Sequence, residues 1–292
     1  MVLGAFLFAT MGVCVKWASA HFNSLELVAY RGMVGAVCLG VVMRVRGVPM
    51  QTPVPMMHLW RSVVGVASLV AWFYAISQLP IATAMTLNYM SSIWIAAFLI
   101  GGAVLFQKSQ TPLRQQGPLF LSVLAGFGGV ALVLRPSMDA GQLMGGVAGL
   151  MSGLLAALAY LQVSALARTG EPDARTVFYF SLGAAFTGLL GMAIWGASPW
   201  TWDGAIWLLP IGLLAMGGQL CMTRSYASGA TLVVANLQYF GIAFAGLYGL
   251  LVFGDNLSIY GWLGMGLIVG SGVTAPFLRE RAMPRLPAEE HA

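Results

Sequence analysis

Ten apolar stretches of about 20 residues fill almost the whole chain, and a helix of that length spans the hydrocarbon core of a bilayer. They run Val2–Ala20, Leu25–Met43, Leu59–Ser77, Ala82–Leu105, Gly117–Leu134, Leu143–Ala167, Thr176–Trp195, Gly204–Ala227, Thr231–Phe253 and Ile259–Phe277, with short connections between them. The predicted fold class is an all-α polytopic membrane protein of ten transmembrane helices, with the lipid bilayer as its surroundings. Only 8% of the residues are charged, against about a quarter in a soluble domain, and 37 glycines in 292 residues favour close helix packing in lipid. The first span carries Lys16 near its end and lacks both a preceding basic segment and a small-residue cleavage site. It reads as a helix rather than a secretory signal.

The net charge of +5 has a topological distribution. Eleven of the fourteen basic residues fall on one side: Arg44, Arg46 and Arg61 beside the second connection, Lys108 and Arg114 the fourth, Arg168 and Arg175 the sixth, Arg224 the eighth, and Arg279, Arg281 and Arg285 in the tail. The positive-inside rule makes that side cytoplasmic and places both termini there. No basic cluster with interleaved aromatics exists, which argues against nucleic acid. The excess of Arg over Lys, with abundant Ala and Gly, points to a GC-rich bacterium and hence its inner membrane.

Catalytic and metal chemistry find no support. Cys14, Cys38 and Cys221 lie within spans without CxxC spacing, and His21, His58 and His291 lie at helix ends or in the tail. No Ser/His/Asp set can assemble at membrane depth, and no G-x4-GK[ST] is present, so neither an enzyme, a metal, a cofactor nor ATP use is expected.

The chain repeats itself. Ala82-Thr83-x4-Asn88 recurs as Ala230-Thr231-x4-Asn236, 148 residues on, and the same offset carries Gly35-Ala36 onto Gly183-Ala184. Five helices per repeat is an odd number, so the second repeat must insert upside down. The expected organisation is two inverted five-helix repeats, 1–138 and 139–278, followed by a cytoplasmic tail, 279–292, with a substrate site between the halves near the midplane.

Leu79-Pro80-Ile81-Ala82-Thr83-Ala84, Arg31 one turn into the second span, and the closing Gly249–Ser258 ahead of a Gly-rich last helix resemble the drug/metabolite transporter superfamily, in its ten-helix EamA-type branch. Within that branch the chain is similar to YddG-like bacterial amino-acid exporters. The resemblance implies export of aromatic and other neutral amino acids, with a drug or other small-metabolite exporter as the alternative. Where many relatives carry Glu at the ends of helices 4 and 9, this sequence has Gln107 and Asp255.

Polar residues within the spans nominate the site. Tyr74 and Gln78 share a face of the third span, Tyr160 and Ser164 of the sixth, and Gln219, Thr223 and Tyr226 of the eighth. Asn88, Tyr89 and Trp94 mark the fourth span, and Asn236, Gln238 and Tyr239 the ninth; a cavity bounded by both halves accounts for them together. Lys16, beside Trp17, either snorkels to the outer surface or meets a substrate carboxylate in an outer vestibule. For Arg31, pairing with Glu26 or capping exposed backbone is preferred to ligand contact. Gly217-Gly218 is the expected flexing point, and the Gly-rich fifth and tenth helices pack internally or in a homodimer, leaving monomer and dimer both open. No Asp, Glu or His lies inside a span, so transport is expected to be facilitated and not proton-coupled.

Overall fold

Lipid offers no hydrophobic drive between helices, so a bundle in a membrane coheres where small residues let backbones approach closely. In the computed structural model, which describes residues 1–79, 81–106, 113–134, 140–254 and 258–282, that is how the spans meet. The helices of the first half are α1 (Val2–Ala18), α2 (Ser24–Val45), α3 (Pro55–Gln78), α4 (Ile81–Tyr89), α5 (Ser91–Phe106) and α6 (Leu113–Leu134). Those of the second are α7 (Leu143–Arg168), α8 (Asp173–Trp195), α9 (Trp202–Ala205), α10 (Leu208–Ser228), α11 (Thr231–Leu237), α12 (Phe240–Val252) and α13 (Ile259–Ala282). No strand occurs among the described residues. Gln107, Lys108, Arg135, Asp139, Asp255 and the tail from 283 lie outside them.

Eight of the ten spans pair as a two-fold arrangement requires. The second span packs on the seventh (α2 on α8), the fifth on the tenth (α6 on α13), the third on the sixth (α3 on α7), and, reciprocally, the first on the eighth (α1 on α10). At the α2–α8 crossing a Cβ on Gly32 would lie 2.5 Å from the Ala185 nitrogen, and one on Gly188 2.5 Å from that of Ala29. Gly129 and Gly264 stand in the same relation, each against the other's carbonyl oxygen at 2.6 and 2.5 Å, so α6 and α13 use glycine to pack internally. Outward faces carry large apolar side chains such as Val37, Phe186 and Phe277, and Trp195, Trp200 and Trp202 stay exposed at one end, as membrane-interface residues do.

Two expectations change. The fourth and ninth spans are not continuous: α4 stops at Tyr89 and α5 restarts at Ser91, while α11 stops at Leu237 and α12 restarts at Phe240. Conversely, α10 runs unbroken through Gly217-Gly218, where the missing Cβ of Gly218 admits the Phe8 ring of α1 at 2.8 Å. The irregular backbone therefore sits in the fourth and ninth spans, not at the glycine pair.

A candidate substrate site between two helix breaks

The nine residues of α4 and the seven of α11 rise about 10 to 14 Å, so both breaks fall near the middle of a bilayer about 30 Å thick. A break frees backbone groups that lipid cannot satisfy, and the fourth-span break supplies a donor to the ninth. The Tyr239 N–H turns back to the Asn236 carbonyl at 3.1 Å, leaving the Ala235 carbonyl without its α-helical partner. Ser92 at the start of α5 donates its hydroxyl to that carbonyl at 2.7 Å. The Gln238 side-chain amide donates to the hydroxyls of Ser91 at 3.2 Å and Ser92 at 2.5 Å. The breaks of the two halves are thus stitched directly together.

Four tyrosines surround this seam. Tyr89 and Tyr239, one at each break, have ring centroids 6.2 Å apart, and Tyr160 of α7 stacks on Tyr226 of α10 at 5.2 Å. Tyr160 lies within electrostatic range of Tyr89 and of Tyr226, and Tyr226 within range of Tyr239. Both Tyr226 and Tyr239 are fully buried, and the Tyr226 hydroxyl has no hydrogen-bond partner. Also buried without partners are Trp94 Nε1, Gln162 Oε1 and Gln219 Oε1. Unsatisfied polar atoms are costly at membrane depth, and the buried hydroxyl of Tyr226 makes this seam the candidate site.

Arg61 was expected beside the second connection. It is instead 97% enclosed, one turn and a half into α3, because that helix begins at Pro55 and not at Leu59. Its guanidinium carbon lies 4.3 Å from the Phe180 ring centroid, and it is within electrostatic range of Tyr160. Nε and Nη1 have no hydrogen-bond partner. Gly65, one turn on, makes the room: a Cβ there would collide with Nη1. No sequence signal short of the true helix start could have found this residue.

Other nominated residues lie elsewhere. Lys16 is exposed at the end of α1 with Nζ 3.6 Å from the Phe253 ring centroid, and Trp17 packs tilted against Trp207 with centroids 4.5 Å apart. Tyr74 and Gln78 are exposed on α3, with Gln78 running past Gly145 at the start of α7. Asn88 donates to the Ser152 hydroxyl at 3.1 Å, whereas Asn236, fully buried, donates to the Ser122 hydroxyl and the Ser271 carbonyl, both at 3.0 Å. The two asparagines equivalent in sequence thus have unlike partners: Asn236 ties α11 to both α6 and α13, Asn88 ties α4 to α7. Nor does Arg31 pair with Glu26. It lines a small pocket with Phe180, Ser181, Met216 and Gln219, while Glu26 is occupied otherwise.

Each face of the bundle is fastened by a carboxylate. On the face assigned to the cytoplasm, Glu171 before α8 accepts from Thr52 at 2.7 Å and from Arg175 at 3.1 Å on each oxygen, and lies 2.9 Å from His58 Nε2. Arg175 also donates to the Pro49 carbonyl, and the Tyr179 hydroxyl to that of Met50. Burial pushes the Glu171 carboxyl up, but hydrogen bonds from Thr52, His58 and Arg175 and the Arg175 charge outweigh it and hold the group below the ordinary carboxylate range. On the other face Glu26, in the first turn of α2, accepts from Ser198 N–H at 2.6 Å and Ser198 hydroxyl at 2.7 Å, and closes a capping box with Asn23. Glu26 and Glu171 flank the starts of repeat-equivalent helices, and each grips the connection that follows the partner helix.

An all-helical membrane protein whose two facing helix breaks hold a polar and aromatic site at mid-depth belongs to the inverted-repeat transporters. Relatives make the class specific. Residues 1–135 match the EamA-like transporter family. The pseudopaline exporter of Pseudomonas aeruginosa is 31% identical over 275 residues, covering 89% of each chain, and the riboflavin transporter of Rhizobium johnstonii is 28% identical, covering 94% of this chain and 88% of that one. A crystal structure only 18% identical shares the fold, with a TM-score of 0.80 over 95% of this chain and 96% of that one. The chain belongs to the EamA-like transporter family of the drug/metabolite transporter superfamily, and is a multi-pass membrane transporter.

Proposed function

We propose that the protein exports amino acids, neutral and aromatic ones among them, from a bacterial cytoplasm across the inner membrane. The two halves, 1–138 and 139–278, rock about the stitched breaks, both termini stay cytoplasmic, and the substrate gradient drives flux without cofactor or proton coupling. The observation that carries this reading is the pair of facing breaks with Tyr89 and Tyr239 across the seam: apolar ring faces with a few hydroxyls hold small amphipathic solutes of varied side chain. A flavin or similar flat solute is the second reading, favoured by the parallel Tyr160–Tyr226 stack and by riboflavin transporters among the relatives. The test is counterflow into liposomes holding the purified protein, across a panel of amino acids and riboflavin, with and without an imposed pH difference. Amino-acid counterflow indifferent to the pH difference is expected. Accumulation driven by the proton gradient, or flux of riboflavin alone, rejects the reading.

A further inference from the structure

An arginine side chain does not lose its proton in a protein, so a buried one needs a counter-charge from somewhere. Arg61 finds none among the described residues: no ion pair reaches it there, and a phenyl face compensates only part of the lost hydration. Arg31 extends the pattern. It lies seven residues from the start of α2, about 10 Å, and Arg61 six from the start of α3, about 9 Å, and these consecutive helices begin on opposite faces of the membrane. Arg31 borders the same Phe180 through the small pocket it shares with Gln219, whose Oε1 is also unpartnered. Arg61, over the Phe180 ring, and Arg31, in the small pocket that Phe180 also lines, therefore come from opposite faces of the bundle, and no carboxylate among the described residues is paired with either.

We propose that Arg61 is the seat of a substrate carboxylate, with Arg31 the next station toward the other face, and that the favoured cargo is net anionic: an amino acid or related organic acid bearing at least two carboxylates. The inference rests on reading the tyrosine-lined seam as the substrate site. The cargo brings the missing counter-charge, one carboxylate on the guanidinium and its apolar body against Tyr160 and Phe180. Because a carboxylate–guanidinium pair is strong only where water is excluded, an anionic substrate is preferred over a zwitterion that carries its own cation.

Thermal unfolding of the purified protein in detergent tests this, with L-glutamate, glutarate and L-phenylalanine as probes, in the wild type, Arg61→Met, Arg61→Lys and Gly65→Ala. Glutamate and glutarate should raise the wild-type melting temperature at lower concentrations than phenylalanine. Arg61→Met should melt higher than the wild type without ligand, since an unpaired charge is gone, and should need at least about thirtyfold more glutamate for the same shift. Arg61→Lys should recover part of the response. Gly65→Ala keeps the charge but displaces the guanidinium, and should weaken glutamate while leaving phenylalanine unchanged. A lower melting temperature in Arg61→Met with an undiminished glutamate response would make Arg61 a structural residue and overturn the proposal. Equal responses to glutamate and phenylalanine in all four proteins would overturn it too, yet leave amino-acid export standing if counterflow is observed. An Arg61-dependent glutarate response without counterflow of any amino acid would support the anion seat and remove the amino-acid reading.

Discussion

Arg61 stands two residues into the span that hydropathy draws from Leu59 and six into the helix that starts at Pro55; that difference of one turn separates a surface charge from a buried one. The polar composition of the candidate site, tyrosines and amides on the fourth, sixth, eighth and ninth spans, can be read from the sequence because polar residues are scarce in an apolar chain. Which of them face the seam was not. Spacing assigns a residue to a helix face, but only packing tells whether that face meets a cavity or another helix, as the unlike partners of Asn88 and Asn236 demonstrate. Asn236→Leu removes the amide that donates to the Ser122 hydroxyl and to the Ser271 carbonyl, two buried bonds, although those two groups still bond each other. It should cost about 1 to 3 kcal/mol, seen as a lower melting temperature, whereas Asn88→Leu loses a single bond to Ser152 and should cost less. Glu171 gives a pH dependence. Its carboxyl is depressed in the folded protein, so its stabilisation is complete above the ordinary carboxylate range and is lost as acid brings the pH down through the folded value. Melting temperature should therefore stay level from neutral pH to about pH 5 and fall below it, with a shallower acid limb in Glu171→Gln.

The helices themselves could be read almost to their ends, since an apolar run of bilayer length has one stable use. The breaks could not. Neither Met90 nor Gln238-Tyr239 is Gly or Pro, the residues that announce an interruption, and the polar groups that stabilise each break come from the other half of the chain. Information separated by about 145 residues is invisible to a local reading. Ser92 is the sharpest probe of this arrangement. Ser92→Ala leaves the Ala235 carbonyl without a donor at mid-membrane and should cost about 1 kcal/mol of stability, while transport falls by more than the loss of folded protein explains. Ser92→Thr, which keeps the hydroxyl, should retain most of the flux. Quantitative liposome counterflow normalised to reconstituted protein measures both.

Across the whole molecule, the inverted repeat was legible as a 148-residue offset, and the reciprocal helix pairs follow it. The unequal fastening of the two faces was not, because it depends on which neighbours fill each carboxylate. Glu171 is held by a guanidinium, a hydroxyl and a histidine, whereas Glu26 reaches across only to the uncharged groups of Ser198. Thr52, His58 and the Arg175–Pro49 and Tyr179–Met50 bonds fasten the face assigned to the cytoplasm, against the two Ser198 bonds on the other, so on this count the former yields less readily. This makes the protein a turnstile with unequal springs. On the proposed export cycle the empty carrier should linger facing outward after discharge, so that resetting limits each turn. Cargo waiting outside then speeds that reset by riding back through, so efflux of labelled substrate from right-side-out vesicles should quicken when unlabelled substrate is supplied externally. Glu171→Gln should erase that stimulation by letting the empty carrier return unaided.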